Sequence, residues 1–248
     1  MSFRRTGGDL VFIGDVHIDR DDPSLSDFLK FLEGLSRRTS RIVFLGDLFN
    51  IWIGGRRMEQ PHQTAVLEVL TELRSQGVVV RYLEGNRDYR VGHNYAGTAI
   101  DDASDEGLVE QEGGHSFFVT HGDLVNVADR QYRMWRRFSR SAPVWALVRL
   151  LPERRRVAMA ESLEKRMRQT NLAYKQAFPE AQVRAYAASR FREGHDIVVL
   201  GHFHVEKDLS AEIEGVEGRI LVLPEWRESR RHLVARVDGT VEFVDSDD

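Results

Sequence analysis

Five short apolar runs in this sequence each lead into a polar motif that contains Asp, Asn or His. In chain order they are Asp9–Ile13 before Gly14-Asp15-Val16-His17, Arg41–Leu45 before Gly46-Asp47, Val78–Leu83 before Gly85-Asn86-Arg87-Asp88, Ser116–Val119 before His121-Gly122-Asp123, and Ile197–Leu200 before Gly201-His202-Phe203-His204. A short apolar run that stops at a Gly-containing loop is typical of a buried strand that delivers the loop to a sheet edge. The chain is therefore predicted to carry five sets of polar side chains at strand ends.

Helical patterns separate the first three of these runs. Apolar residues at helical spacing predict a helix over residues 24–35, and residues 64–75 are predicted to form the next one. Strands that alternate with helices indicate βαβ units and a largely parallel inner sheet, so the predicted fold class is α/β. The pattern turns toward β structure after Asp101, and a hairpin at Asp238-Gly239 is predicted to close the chain.

The length and composition of the chain restrict the number of domains and the possible metal ligands. The chain of 248 residues suits one large domain or a domain with an insertion. It has no cysteine, so any metal must bind His, Asp, Glu or Asn. The N-terminus runs almost directly into a strand without an apolar signal segment, and no stretch approaches the length of a membrane span. A cytoplasmic protein is expected.

A basic segment lies between Arg130 and Arg168. It holds twelve Lys and Arg against three Glu, a local net charge of +9 in a chain of net charge −4. A long helical region is predicted over about residues 129–192, with breaks near the two prolines at 143 and 152. We interpret residues of about 126–193 as a helical cap inserted into a single domain that spans 1–248. Such a charge favours an anionic substrate or surface.

The five motifs together predict a metal site. Ligand sites of open α/β sheets form outside the carboxyl ends of the strands, so these side chains are expected to converge. The candidate ligands are Asp15, His17, Asp47, Asn86, His121, His202 and His204. Mixed nitrogen and oxygen donors suit Mn²⁺, Fe, Zn²⁺ or Co²⁺ better than Mg²⁺ or Ca²⁺. Seven ligands exceed the needs of one tetrahedral ion and fit two ions that share a carboxylate, which would clamp the oxygens of a phosphoryl displacement.

Each motif has an ordinary explanation when it is taken alone. A single Asp-x-His or His-x-His is more often a turn or a solvated pair than a metal site, and Gly-Asp after a strand is common turn chemistry. The occurrence of all five motifs at successive strand ends favours the interpretation with two metal ions.

The motifs resemble those of the calcineurin-like metallophosphoesterases, whose pattern is Asp-x-His, Gly-Asp, Gly-Asn, His and Gly-His-x-His. The resemblance spans about residues 9–205 and implies a four-layer α/β/β/α sandwich. It also implies which ligands share an ion: Asp15, His17, Asp47 and His204 for one, and Asp47, Asn86, His121 and His202 for the other, with Asp47 bridging.

Arg87 stands where most of that superfamily has a His that can protonate a leaving alkoxide. A guanidinium stays protonated, so Arg87 is a poor general acid but a good phosphate clamp. A phosphate monoester needs no proton to leave, because its second pKa is about 6. Arg87 therefore favours cleavage of a pyrophosphate over that of an alkyl phosphodiester. The alternative is that Arg87 only pairs with Asp88 on the surface.

One branch of the superfamily is similar in more detail. Gly-Asn-Arg-Asp, together with Gly46–Phe49, Trp52-Ile53-Gly54 and a His-Gly-Asp motif before a helical cap, resembles the UDP-2,3-diacylglucosamine pyrophosphohydrolases of lipid A biosynthesis. The resemblance implies Mn²⁺-dependent cleavage to UMP and 2,3-diacylglucosamine 1-phosphate, with acyl chains between cap and core. The implied catalytic residues are Asn86, Arg87 and His202, and the implied substrate-binding residues are these three and Asp129.

The cap is expected to bind a lipid surface and the lipid substrate. A basic segment that carries Trp145 and Leu147 fits peripheral association with the inner membrane, while an ordinary core face of the helix is the alternative. A polar contact with the substrate is also expected around Thr170, Asn171 or Lys175.

Parts of the sequence are also compatible with other functions. The chain departs from the branch at Asn50, at Gly55-Arg56, at Val205-Glu206 and at Pro224-Glu225-Trp226, which bears on nucleobase and sugar recognition. Another nucleotide-linked pyrophosphate or a phosphodiester is therefore the alternative substrate. A non-catalytic scaffold is disfavoured because no ligand position is missing. Nucleic acid is not expected as a partner, because the chain outside the basic segment is acidic.

Overall fold

Two β-sheets form the centre of the molecule. The computed structural model describes residues 7–246 except 56–57, 128, 153, 157, 160–161, 163–177 and 214. The strands are β1 (Asp9–Ile13), β2 (Thr39–Phe44), β3 (Trp52–Ile53), β4 (Val79–Leu83), β5 (Asp88–Tyr89), β6 (Asp102–Ser104), β7 (Leu108–Glu112), β8 (His115–Thr120), β9 (Ile197–Leu200), β10 (Lys207–Ile213), β11 (Val216–Val222), β12 (Arg231–Ala235) and β13 (Val241–Asp245). The helices are α1 (Leu25–Leu35), α2 (Pro61–Ser75), α3 (Val91–Tyr95), α4 (Arg130–Ser139), α5 (Ala142–Leu150), α6 (Glu180–Arg192) and α7 (Trp226–Ser229).

Parallel strands occupy the middle of both sheets. The first sheet has the order β13-β12-β1-β2-β4-β6 and the second the order β10-β11-β9-β8-β7. Strands β1, β2, β4 and β6 are mutually parallel, and so are β8, β9 and β11. The predicted parallel inner sheet is confirmed, and antiparallel β12 and β13 extend it on one side. The ends of the parallel strands therefore lie at a common edge in each sheet.

Three apolar layers hold the sheets and helices together. In β1, Leu10 and Phe12 point between the two sheets, whereas Val11 and Ile13 point toward α1 and α2. This alternation explains the continuous apolar run, because a strand buried on both faces has no polar side. The outer face of the second sheet packs against α6 through residues such as Val183. The four-layer α/β/β/α arrangement is thereby confirmed.

The start of α2 differs from the prediction by three residues. The helix begins at Pro61, whose missing N–H costs nothing in the first turn of a helix. Gln60 and Gln63 form a reciprocal capping box, in which each side chain accepts from the other residue's backbone N–H. The helical spacing of apolar residues did not reveal these polar end contacts.

The predicted helical region contains α4, α5 and α6. The break between the first two falls at Arg140–Ser141 rather than at Pro143, because a proline is accommodated in the first turn of α5. Thr170, Asn171 and Lys175 lie outside the described residues. Helix α6 lies within the segment interpreted as a cap, yet it packs on the second sheet as the fourth layer. The boundaries of a cap stay a prediction.

The C-terminal hairpin has the predicted turn. Strands β12 and β13 pair antiparallel around Asp238-Gly239, and Gly239 adopts a φ of 91°, in the left-handed region that favours glycine. Among the described residues, no helix has the length and apolar character to cross a membrane.

Candidate metal centre

Left-handed backbone marks five of the seven predicted ligands. Asp15, His17, Asp47, His202 and His204 have φ values of 50°, 53°, 51°, 71° and 53°. Each lies two to four residues beyond the end of β1, β2 or β9, so the chain turns sharply just after these strands end. Such a conformation costs a non-glycine residue roughly 1–3 kcal/mol and is concentrated at functional sites.

Asp15, His17 and His204 form one cluster of donor atoms. The Asp15 Oδ1 atom lies 3.5 Å from His204 Nε2 and 3.8 Å from His17 Nε2, and the two Nε2 atoms are 3.1 Å apart. The other oxygen, Oδ2, accepts from the backbone N–H of His202 at 2.6 Å. This bond orients the carboxylate, so that Oδ1 faces the two imidazoles.

Asp47, Asn86, His121 and His202 converge beside that cluster. Asn86 Oδ1 lies 3.0 Å from His121 Nε2 and 3.1 Å from His202 Nδ1, and Asp47 Oδ2 lies 3.8 Å from His121 Nε2. Asp15, Asp47 and His121 also have ligand atoms within 4.8 Å of one another. The structure thus brings together all seven residues that the sequence motifs singled out.

The chemistry of these atoms fits a cation. Asp15 Oδ1 is buried and has no hydrogen-bond partner among the described residues, and two imidazole nitrogens face it. Burial alone would lower the pKa of His204, but its contacts with Asp15 and Glu225 raise it to about 10. Burial alone would also raise the pKa of Asp15, and the interaction with His204 instead lowers it well below its usual range. The cluster attracts positive charge, which a divalent ion would supply in place of the proton.

His121 is oriented by a backbone carbonyl group at the end of β2, in the first sheet. Its Nδ1 lies 2.6 Å from the Leu45 carbonyl oxygen. A carbonyl can only accept, so Nδ1 carries the hydrogen and Nε2 keeps its lone pair toward Asn86 and Asp47. Metal-binding histidines commonly donate their second nitrogen in this way.

Two glycines make room for the carboxylates. A Cβ on Gly201 would lie 2.7 Å from Asp15 Oδ2, and a Cβ on Gly85 would overlap Asp47 Oδ1. Neither position has the left-handed φ that usually explains a glycine. The glycines in the Gly-Asn and Gly-His motifs are therefore required by close approach of a ligand and not by backbone conformation.

Gly85→Ala is expected to displace the Asp47 carboxylate and to weaken metal binding and turnover by about tenfold to a hundredfold, the range for a disturbed ligand support. Gly34→Ala is the matched control, because a Cβ there meets nothing within 4 Å. Metal content by elemental analysis, alongside turnover, measures the effect. Full metal loading and turnover in Gly85→Ala would contradict this account of the glycine.

Arg87 and Asp88 are both buried, which excludes the surface pair considered from sequence. The Arg87 backbone N–H donates to Asp47 Oδ1 at 2.9 Å, and its Nε lies 3.5 Å from Asp47 Oδ2. Asp88 Oδ2 accepts from the N–H of Asp47, the N–H of Gly85 and the hydroxyl of Tyr82, each at 2.9 Å. Burial and the charge of Asp47 raise the pKa of Asp88 to about 7. Asp88 therefore shapes the loop, while Arg87 faces the candidate ligands.

Helix α4 and Arg140, the residue that follows it, contact the loop that contains Gly85, Asn86, Arg87 and Asp88. Arg140 donates to the carbonyl oxygens of Gly85 and Asp88, and Arg136 donates to that of Glu84. These contacts were not predicted, since a basic helix is usually solvated. Part of the basic segment thus supports the backbone of the Gly-Asn-Arg-Asp motif.

Asp129 is the N-cap residue of helix α4. Its Oδ1 accepts from the backbone N–H of Tyr132 at 2.9 Å, which is an N-cap bond. The side chain is exposed. Its contact with a substrate stays a prediction. Glu225, which lies 3.2 Å from His204 Nδ1, was missed because it stands outside the five motifs.

The sandwich and its clustered His, Asp and Asn side chains define a metal-dependent phosphoesterase, a hydrolase. The chain belongs to the calcineurin-like phosphoesterase family, whose family model matches residues 9–206.

Three curated relatives carry one name, UDP-2,3-diacylglucosamine hydrolase. The protein of Pseudomonas entomophila is 28% identical over 236 residues, covering 92% of this chain and 95% of its own length. That of Chromohalobacter salexigens is 26% identical over 221 residues, with 89% of each chain covered. That of Aeromonas salmonicida is 28% identical over 225 residues, covering 90% of this chain and 88% of its own.

Proposed function

We propose that this chain hydrolyses the pyrophosphate bond of UDP-2,3-diacylglucosamine to UMP and 2,3-diacylglucosamine 1-phosphate, a reaction of lipid A biosynthesis. The observation that carries the proposal is the buried Arg87, whose Nε lies 3.5 Å from Asp47 Oδ2. A permanent cation at this place suits a phosphate leaving group and cannot protonate an alkoxide. The name of the relatives supports the choice of substrate.

The candidate ligands divide into two sets in this proposal. Asp15, His17, Asp47 and His204 would hold one divalent ion, and Asp47, Asn86, His121 and His202 would hold the second, so that Asp47 belongs to both sets. Mn²⁺ is the proposed metal, and Fe, Zn²⁺ and Co²⁺ are alternatives that suit the same donors. Two such ions would lower the pKa of a reacting water molecule and stabilise charge on the phosphoryl oxygens.

Four side chains of this chain have further roles in the proposed reaction. Arg87 binds a phosphoryl oxygen and stabilises negative charge as it develops. Burial lowers the pKa of His202 to about 4, so its imidazole is neutral at neutral pH and can act as a ligand. Asn86, between His121 and His202, presents its amide oxygen to the same place, and Asp129 is proposed as a substrate contact from α4.

UMP release tests the proposal directly. The purified chain, saturated with Mn²⁺, is assayed with UDP-2,3-diacylglucosamine beside dinucleotides and model phosphodiesters. We expect UMP from the lipid-linked substrate and little hydrolysis of the diesters. No UMP from the lipid substrate would overturn the proposal, and turnover of a different pyrophosphate or diester would establish the alternative.

We also propose that the protein is cytoplasmic and binds peripherally to the inner membrane. Helices α4 and α5 combine arginines with large apolar side chains that stay exposed: Trp135 at 57%, Phe138 at 59%, Leu147 at 67% and Leu150 at 80%. Trp145 instead packs against Ile51 and Ile53, so α5 has one face in the core and one in solvent. Basic helices with an exposed apolar face suit an anionic lipid surface.

The double substitution Leu147→Glu and Leu150→Glu is expected to weaken binding to phosphatidylglycerol vesicles by about tenfold or more, because burying each leucine contributes roughly 1.5–3 kcal/mol. Co-sedimentation with phosphatidylglycerol and phosphatidylcholine vesicles measures the change. Val237→Glu is the matched control, since Val237 is 57% exposed on the C-terminal hairpin. Equal binding of the double variant and the control would reject this surface.

A further inference from the structure

We infer that Glu225 is a positioning residue that holds His204 for metal binding, an inference that rests on the proposed metal centre. Glu225 Oε2 lies 3.2 Å from His204 Nδ1. On the opposite side of the ring, His204 Nε2 lies 3.5 Å from Asp15 Oδ1 and 3.1 Å from His17 Nε2. A carboxylate can only accept, so Glu225 keeps the hydrogen on Nδ1 and directs the Nε2 lone pair into the cluster.

The Glu225 carboxylate is itself held in place. Its Oε1 accepts from Arg227 at 3.1 Å, and Arg227 also contacts the His17 carbonyl oxygen at 3.2 Å and the Asp22 carboxylate at 3.4 Å. The glutamate side chain is therefore fixed between a histidine and an arginine. One arginine links it to the segment that carries Asp15 and His17.

Trp226 anchors this segment in the core. Its side chain is 1% exposed and packs against Phe28 and Phe31, with ring centroids 4.8 and 5.4 Å apart. Its backbone N–H donates to the Asp15 carbonyl oxygen at 3.3 Å. Glu225 therefore projects from a rigid support, which is what a residue that orients a ligand requires.

A carboxylate behind a metal-binding imidazole fixes the ring and raises its basicity. Loss of such a partner typically weakens metal affinity by about tenfold to a hundredfold. Glu225 is thus assigned to support one ligand of the cluster of Asp15, His17 and His204, while the cluster around Asn86 has its own support in the Leu45 carbonyl oxygen.

The test compares Mn²⁺ binding by wild type, Glu225→Gln and Glu225→Ala, each stripped with a chelator and titrated by calorimetry. Glu228→Gln is the matched control, because Glu228 is exposed on α7, the short helix that follows Glu225 directly. One of two binding events is expected to weaken by about tenfold to a hundredfold in Glu225→Ala, and less in Glu225→Gln, whose amide oxygen can still accept from Nδ1. The control is expected to bind as the wild type does.

Thermal unfolding of the metal-free proteins separates positioning from a structural role. Positioning predicts a metal-free Tm close to wild type and a smaller gain in Tm on adding Mn²⁺. Unchanged Mn²⁺ affinity in Glu225→Ala, or a fall in the metal-free Tm that alone accounts for weaker binding, would overturn the inference. Wild type that binds Mn²⁺ but releases no UMP would refute the proposed substrate and leave the assignment of Glu225 standing.

Discussion

Asp47→Ala is expected to abolish hydrolysis and to deplete bound metal. The Asp47 carboxylate lies 3.8 Å from His121 Nε2 and shares a donor cluster with Asp15, so it stands between the two groups of ligands. A shared ligand serves both ions, and its loss affects both. Loss of a single stabilising donor at a reacting oxygen already lowers turnover by roughly 10²–10³-fold, so we expect a decrease of at least this size.

The measurement pairs elemental analysis with the UMP-release assay. Asp47→Asn is a useful second variant, because Asn tolerates the left-handed φ of 51° at this position and keeps an oxygen that can accept from the Arg87 N–H. Asp208→Ala removes an exposed carboxylate that pairs with Arg219 and serves as the control. Two bound ions and near-normal turnover in Asp47→Ala would contradict its role as the bridging ligand.

Arg87→Ala is expected to leave metal content nearly intact and to lower turnover by about 10²–10³-fold, the cost of removing one donor that stabilises developing charge. Arg87 reaches the site through its guanidinium, while its backbone N–H holds Asp47 and is retained in the variant. Arg87→Lys is expected to recover only part of the activity, because an ammonium cannot replace the planar fork of arginine.

The same pair of measurements, metal content and turnover, tests Arg87. Arg38→Ala is the control, since Arg38 is exposed beyond the end of α1. Loss of metal from Arg87→Ala would show that the guanidinium supports the ligands and would reject its assignment as a phosphate clamp. An unchanged turnover would reject it equally.

Local patterns predicted the five strands that precede the candidate ligands, for a physical reason. Residues 10–13 and 197–200 are continuous apolar runs because β1 and β9 are buried on both faces there, and the predicted bounds of both strands agree with the structure. The polar residue that follows each strand is placed by the end of that strand, and parallel strands end at a common edge. The convergence of Asp15, Asp47 and Asn86 therefore follows from short-range features.

Contacts between segments that are distant in the sequence could not be predicted from local patterns. His17 and His204 meet across 187 residues, and the support of Glu225 depends on the packing of Trp226 against α1. The hydrogen bond from Arg140 to the Gly85 carbonyl oxygen depends on where α4 packs. A charged residue outside a motif has the same local pattern whether it is solvated or buried, so sequence alone gives no sign of its partner.

The sequence by itself thus determined the five strands that precede the motifs, the seven candidate ligands and the arginine that follows Asn86. These depend on periodicity and on residue chemistry, which are local properties. Only the tertiary structure decided that Gly85 and Gly201 make room for carboxylates, that α6 forms the fourth layer, and that Glu225 stands behind His204. Each of these depends on the relative placement of elements, which is set by the packing of the whole core.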